Sequence, residues 1–122
     1  MNTAALILVV NSNRRNLELL GQFLVKNGYT VVSAASLDEF DQVLQRTEPV
    51  RLALVDITDF DSKIWERCES LRKKDIPFLI VSPRYISAIQ QESIKHGARG
   101  ILVKPLVSQE LLSLMRSLLE ED

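Results

Sequence analysis

Short apolar runs alternate with longer amphipathic stretches along the whole chain, and this alternation most constrains its fold. The apolar runs are rich in Val, Ile and Leu and show little period-2 alternation with polar residues, which is typical of parallel strands covered on both faces. They are Leu6–Val10, Thr30–Ala34, Leu52–Val55, Phe78–Val81 and Ile101–Val103. The sequence therefore predicts five buried strands in a parallel sheet.

A helical stretch follows each of these runs, with apolar residues at helical spacing. The first is predicted from about residue 14 to 26, with Asn13 as N-cap and Gly28 as the stop. A capping box, Ser36-Leu37-Asp38-Glu39, opens the second. The others are predicted over about 63–74, over about 85–96, and after the N-cap candidate Ser108.

The elements have the order (βα)5, an α/β arrangement in which each crossover is expected to be right-handed. When later strands are added on both sides of the first strand, they form an open, doubly wound, five-stranded parallel sheet with helices on both faces. This arrangement is flavodoxin-like, with strand order 2-1-3-4-5. The chain has 122 residues, no internal repeat and no linker, so residues 1–122 are predicted to form a single domain.

Composition excludes several classes of function. The formal net charge of -1 gives no general attraction to nucleic acid or to an anionic membrane. The lone Cys68 cannot form an internal disulfide, which favours a reducing compartment and a core position for this thiol. No apolar run is long enough to span a bilayer. We expect a cytoplasmic protein without a nucleic acid or a membrane as direct partner.

Polar residues follow four of the predicted strands, where the carboxyl ends of parallel strands meet at one edge of the sheet. Asn11 and Ser12 follow the first strand, Asp56 the third, Ser82 the fourth and Lys104 the fifth. A carboxylate beside a hydroxyl and an ammonium group makes a site for phosphoryl chemistry. The carboxylate is the nucleophile, and the other two groups contact phosphoryl oxygens.

The chain resembles the receiver domains of bacterial two-component response regulators. The resemblance rests on Ile7–Val10, Leu54–Asp56, Ile80–Ser82 and Gly97–Pro105. In that family, an aspartate at the end of the third strand accepts a phosphoryl group from a histidine kinase, and Asp56 holds that position. The family's hydroxyl falls on Ser82 and its lysine on Lys104, and the Lys104-Pro105 peptide is implied to be cis. The resemblance implies a signalling module and not an enzyme.

The two residues that follow the first strand depart from the family pattern. Receivers usually carry two adjacent acidic residues there. These bind Mg²⁺ together with the phosphoacceptor and a backbone carbonyl, which is that of Thr58 in this chain. Asn11 and Ser12 offer oxygen atoms but no charge, whereas Mg²⁺ prefers charged oxygen ligands. We therefore expect Mg²⁺ binding at Asp56 to be weak or absent.

Three more positions depart from the family. Pro83 stands where a small residue normally follows the hydroxyl, and Ile101 stands at a switch position that is normally aromatic. The loop after Asp56 lacks the usual Pro-Gly turn and carries Asp59 and Asp61 instead. These acids are candidates to supply oxygens from the other side of the crevice. Alternatively, the loop is solvated, and Asp61 or the next serine caps the third helix.

The family's output surface is formed by the fourth helix, the fifth strand and the fifth helix. Its members here include Tyr85, Ile86, Ala88, Ile89 and Arg99. The resemblance implies an output domain or a partner protein on this face, with a homodimer as a further option. It also implies a histidine kinase or a phosphotransfer protein as the upstream partner.

Each candidate residue also has a purely structural interpretation. Asp56 and Lys104 can form an ion pair that joins two strands without any catalysis, and Ser82 before Pro83 can belong to an ordinary turn. His96 is expected to act as a partner of the dipole at the end of its helix.

Two other functions compete with a phosphorylated receiver. One is a pseudo-receiver that docks or dimerises without phosphorylation. The other is a flavodoxin-like cofactor binder. This second alternative would need a phosphate-binding loop after the first strand, and Asn11-Ser12-Asn13 has one hydroxyl and no glycine.

Overall fold

All five predicted strands and all five predicted helices are present in a computed structural model of the chain, which describes residues 4–46 and 48–119. The strands are β1 Leu6–Val10, β2 Thr30–Ala34, β3 Leu52–Asp56, β4 Phe78–Ser82 and β5 Gly100–Val103. The helices are α1 Arg14–Lys26, α2 Leu37–Leu44, α3 Ile64–Lys73, α4 Ser87–Lys95 and α5 Ser108–Leu119. Across this described part of the chain, no helix has the length and apolar character that crossing a membrane requires.

The sheet is parallel throughout, and its strand order β2-β1-β3-β4-β5 confirms the predicted topology. In this register Val10 pairs with Val55, Asp56 with Val81, and Ser82 with Val103. The carboxyl ends of β1, β3, β4 and β5 therefore lie at one edge, and the residues that follow them meet there.

Each face of the sheet carries its own hydrophobic core, because successive residues of a strand point to opposite faces. In β1, Ile7 and Val9 belong to the core that packs against α1 and α5, whereas Leu8 and Val10 belong to the core under α2 and α3. Cys68 lies fully buried in the second core, and burial raises the pKa of its thiol to about 12. This thiol is a core residue, as the sequence predicts.

Side-chain caps fix the starts of α1 and α2. The Asn13 side chain accepts a hydrogen bond from the backbone N–H of Asn16, and the Ser36 hydroxyl accepts one from the backbone N–H of Glu39. The Glu39 carboxylate accepts a hydrogen bond from the amide of Ala35, one residue before the cap. That bond, helped by a hydrogen bond from Arg14, lowers the pKa of Glu39.

Three helix starts differ from the prediction by one or two residues. Helix α4 begins at Ser87, so Tyr85 and Ile86 lie in the preceding loop. Helix α5 begins at Ser108 itself, which makes that serine the first helical residue and not the N-cap. Lys63 occupies the N-cap position of α3 and makes no capping hydrogen bond with its own side chain.

Candidate functional site

Asp56 ends β3, and donors from three other residues surround its carboxylate. Its side chain is 6% exposed, and its Oδ2 lies 2.9 Å from Lys104 Nζ. The Asn11 side-chain amide donates to the same oxygen at 3.1 Å, and the backbone N–H of Thr58 donates to Oδ1 at 2.9 Å. The buried charge is therefore both paired and hydrogen-bonded, as a buried carboxylate requires.

Lys104 reaches Asp56 from the neighbouring end of the sheet. It follows β5 directly, its backbone N–H donates to the carbonyl of Ser82, and the Lys104-Pro105 peptide is cis. Its Nζ also donates to the Thr58 hydroxyl at 2.9 Å. One ammonium group thus joins the end of β5 to Asp56 and to the loop after β3.

The orientation of the Asn11 amide follows from its two hydrogen bonds. Its Oδ1 accepts from the backbone N–H of Asn13 at 2.9 Å, which leaves its NH₂ group facing Asp56. The flipped amide would face an N–H with its NH₂ and a carboxylate with its oxygen, and both contacts would be repulsive. Asn11 therefore presents hydrogen atoms to the crevice, on the side where receivers usually carry an acid.

Hydrogen-bond donors occupy the positions around Asp56 where the family resemblance places metal ligands. The Thr58 carbonyl, which the family resemblance assigns to the metal, accepts a hydrogen bond from Ser12 Oγ at 3.1 Å. No group of three or more His, Cys, Asp or Glu side chains within residues 4–46 and 48–119 is placed to hold a metal ion. Asp59 is exposed, and Asp61 Oδ1 accepts a hydrogen bond from the backbone N–H of Lys63, directly before α3.

Ser82 lies at the end of β4 and is fully buried, but its hydroxyl is engaged within its own loop. Ser82 Oγ donates to the Arg84 carbonyl at 2.7 Å and accepts from the Arg84 N–H at 3.3 Å. This is the turn chemistry that the sequence left open as an alternative. Contact with a phosphoryl group would require the hydroxyl to rotate away from Arg84. Ile101, at the switch position, is half-buried and packs against the core under α2 and α3.

The predicted partner face is only partly exposed. Tyr85 and Ile86 are exposed, as is Arg99, whereas Ile89 packs against the core. Ile86 and Ile89 therefore do not form an exposed apolar pair.

Helix α4 buries a serine and exposes the isoleucine that follows it. Ile94 is 67% exposed, and Ser93 lies inside, with its hydroxyl donating to the Ile89 carbonyl at 2.6 Å. A serine that bonds the carbonyl four residues earlier can be buried without another partner. Hydrophobic periodicity does not register such a residue, because a serine counts as polar.

His96 joins α3 to α4 through contacts that sequence reasoning missed. Its Nδ1 lies 2.9 Å from a Glu69 oxygen, its Nε2 lies 3.1 Å from a Glu92 oxygen, and its ring stacks on Trp65. The hydrogen bond to His96 lowers the pKa of Glu69. His96 also occupies the C-cap position of α4, where the dipole partner was predicted.

The sheet topology, with a carboxylate and a lysine paired at the carboxyl edge, is that of a doubly wound α/β domain. Residues 7–116 match the family described as the response regulator receiver domain. A relative, response regulator MprA of Mycobacterium ulcerans (strain Agy99), is 34% identical over 116 residues, which cover 93% of this chain and 49% of the relative. The chain thus spans about half the length of this relative.

Solved structures show the same fold. The receiver domain protein (CheY-like) of Methanospirillum hungatei JF-1 is 26% identical with a TM-score of 0.87, and the similarity covers 97% of this chain and 95% of that one. A response regulator from Thermotoga maritima is 21% identical with a TM-score of 0.84, covering 98% of this chain and 100% of that one. This chain belongs to the response regulator receiver domain family and has the CheY-like, flavodoxin-like fold.

Proposed function

We propose that Asp56 is the phosphoacceptor of this receiver domain and that its phosphorylation depends little on Mg²⁺. One observation carries the proposal: a nearly buried carboxylate at the end of β3 lies 2.9 Å from the Lys104 ammonium group. This pair supplies a nucleophile and a fixed positive charge at one point. Phosphoryl transfer relies mainly on such positioning and charge stabilisation.

The chemistry needs one bond made and one bond broken. A carboxylate oxygen of Asp56 bonds to phosphorus while the bond from phosphorus to the donor breaks, and the donor atom keeps the electron pair. Oδ2 already contacts Lys104 and Asn11, whereas Oδ1 accepts only the Thr58 N–H among the described contacts. Oδ1 is therefore the more available nucleophile, and Lys104 neutralises charge that develops on the phosphoryl oxygens.

Receiver domains commonly bind Mg²⁺ at the phosphorylation site, but the residues of this chain fit that ion poorly. Asp56 is the one carboxylate at the centre of the site, and Asn11 faces it with N–H groups. A divalent cation would have to displace the Asn11 amide and compete with the Ser12 hydroxyl for the Thr58 carbonyl. Lys104 and Asn11 together stabilise the negative charge at the carboxylate, and Mg²⁺ binds weakly or not at all.

The proposed partners follow from the family and from the exposed surface. A histidine kinase or a phosphotransfer protein donates the phosphoryl group in the cytoplasm. The face that includes Tyr85, Ile86 and Arg99 contacts an output domain, a partner protein or a second copy of the chain. The exposed Tyr85 and Ile86 side chains support a contact surface there, because both are large and partly apolar.

A phosphorylation-independent docking module is the second candidate, and two observations favour it. Both oxygens of Asp56 already have donors, and the Ser82 hydroxyl is engaged by Arg84. In this version the Asp56–Lys104 pair has only a structural role. A flavodoxin-like cofactor binder has less support, because the loop after β1 uses its side chains for capping and hydrogen bonds to Asp56 and Thr58.

Intact-protein mass spectrometry after incubation with acetyl phosphate tests the phosphoacceptor. We expect the wild type to gain the mass of one phosphoryl group, and Asp56→Asn to gain none. Asp59→Asn is the matched control, because it removes an exposed acid three residues away and should leave the adduct in place. A wild type without an adduct would contradict the proposal and favour the docking module.

A further inference from the structure

An apolar cavity of about 330 Å³ lies between α1 and α5, next to the proposed phosphoacceptor site. Its apolar walls include Leu19, Leu20 and Phe23 of α1, Leu106 from the loop after β5, and Leu111 of α5. This volume lies at the low end of the range of about 300–1,000 Å³ that is typical of small-molecule sites. Protein interiors otherwise leave few voids larger than a water molecule, so a gap of this size is a candidate binding site.

The walls of this cavity are only partly covered by the protein itself. Leu111 is buried, whereas Leu20, Phe23 and Leu106 are half-buried and pack against the core with one side. Leu19, at the mouth, is 49% exposed. An apolar ligand in the cavity would remove these side chains from water, which stabilises the complex by roughly 25 cal/mol per Å² of buried apolar surface.

One end of the cavity is polar, and its remaining hydrogen-bonding capacity lies mainly in donors. Asp56, Lys104 and Asn11 line this end. Of the three ammonium hydrogens of Lys104, the described contacts use two, to Asp56 and to the Thr58 hydroxyl. The Asn11 amide uses one of its two hydrogens on Asp56.

The charge at this end favours an anion over a cation. The Lys104 side chain is 31% exposed, whereas that of Asp56 is 6% exposed, so a ligand meets the ammonium group more readily than the carboxylate. A head group that accepts hydrogen bonds and carries negative charge complements the donors that remain.

We propose that this cavity binds a small amphipathic carboxylate, with its apolar body between α1 and α5 and its carboxylate at Lys104 and Asn11. The proposal rests on the position of Lys104 in the proposed phosphoacceptor site, but it does not require phosphorylation. Such a ligand would occupy the approach to Asp56 and would make the availability of that residue depend on a metabolite.

Calorimetric titration with 2-naphthoate tests the proposal, with 2-naphthylmethylamine as a probe of the same body and opposite charge. We expect saturable binding of naphthoate that is about tenfold or more tighter than binding of the amine, which corresponds to one charge-assisted hydrogen bond. Absence of saturable naphthoate binding, or equal binding of the amine, would overturn the proposal.

Two variants on the exposed surface of α1 locate the site. Leu19→Glu removes an apolar wall and adds negative charge, so it should weaken naphthoate binding about fivefold or more. Val25→Glu is the matched control, because Val25 is 59% exposed on the same helix and lies outside the cavity. Equal affinities of the two variants would overturn the assigned position.

Two further measurements distinguish this proposal from the phosphoacceptor proposal and from an interface between copies of the chain. Asp56→Asn should abolish the phosphoryl adduct, whereas naphthoate binding should persist and become tighter, because the variant removes the negative charge beside Lys104. Failure of one proposal therefore does not imply failure of the other. Size-exclusion chromatography of the wild type and Leu19→Glu tests a different occupant. A wild-type dimer that Leu19→Glu converts to a monomer would show that the cavity is an interface between copies, and it would contradict the small-ligand site.

Discussion

Lys104→Ala is expected to lower the free energy of unfolding at neutral pH by about 3 kcal/mol, because it leaves a buried carboxylate without its positive partner. Asp56 lies almost entirely out of water, and Lys104 is its ion-pair partner at 2.9 Å. Loss of one member of a buried pair costs about 3–5 kcal/mol, and the partial exposure of Lys104 favours the low end of that range. Urea unfolding of the two proteins measures the difference.

Two comparisons identify the cause of this loss. Lys63→Ala removes an exposed lysine beside the same crevice loop and should change stability by less than about 0.5 kcal/mol. The double variant Asp56→Asn/Lys104→Ala should recover part of the loss, because it removes the buried charge as well. Unchanged stability of Lys104→Ala would show that the ion pair is absent in solution.

Asn11→Asp combined with Ser12→Asp is expected to strengthen Mg²⁺ binding by about tenfold or more, because the affinity of an oxygen site depends strongly on its charge count. The substitutions replace the N–H groups that face Asp56 with carboxylate oxygens and free the Thr58 carbonyl from the Ser12 hydroxyl. Without metal, the new charges repel Asp56, so the variant should unfold at lower temperature than the wild type. Calorimetric titration with MgCl₂, and thermal unfolding with and without the ion, measure both effects.

Gln22→Glu is the control for this variant, because it adds an acid at an exposed position of α1 that lies outside the cavity lined by Asp56. It should leave Mg²⁺ affinity close to that of the wild type. A double variant whose Mg²⁺ affinity equals that of the wild type would mean that Asn11, Ser12 and Asp56 do not share one crevice.

The strands and the first helix could be predicted from the sequence because hydrophobic pattern and local capping decide them. The bounds of β1, α1 and β2 agree residue for residue with the prediction. The Asn13 cap and the turn at Gly28, which has φ of 94°, mark the ends of α1 locally. The strand order also follows from pattern, since five buried parallel strands with crossover helices permit few topologies.

The side-chain contacts of the site could not be predicted in the same way, because they join segments that are far apart in the chain. The sequence placed Asn11, Asp56 and Lys104 at one edge of the sheet. It did not show that the Asn11 amide turns its NH₂ group toward Asp56, which depends on the Asn13 N–H. The engagement of Ser82 by Arg84 was one of two options that the sequence left open.

Helix α4 was the least well predicted element, because its pattern is weak. The two ring nitrogens of His96 contact carboxylates on α3 and α4, and this polar bridge joins the two helices. Nothing in the sequence pattern indicates that Glu69 or Glu92 contacts His96. The buried Ser93 was missed for the related reason that its burial is permitted by a bond within the helix.

The dependence of Asp56 phosphorylation on Mg²⁺ is measured by the rate of phosphoryl adduct formation from acetyl phosphate, followed by intact mass with excess Mg²⁺ and again with a chelator. Because Lys104 and Asn11 supply the electrostatic stabilisation, we expect an adduct on Asp56 at rates that are similar in the two conditions. A rate that collapses in the chelator while Asp56→Asn stays unmodified would contradict this expectation, because the phosphorylation of Asp56 would then require a bound divalent cation.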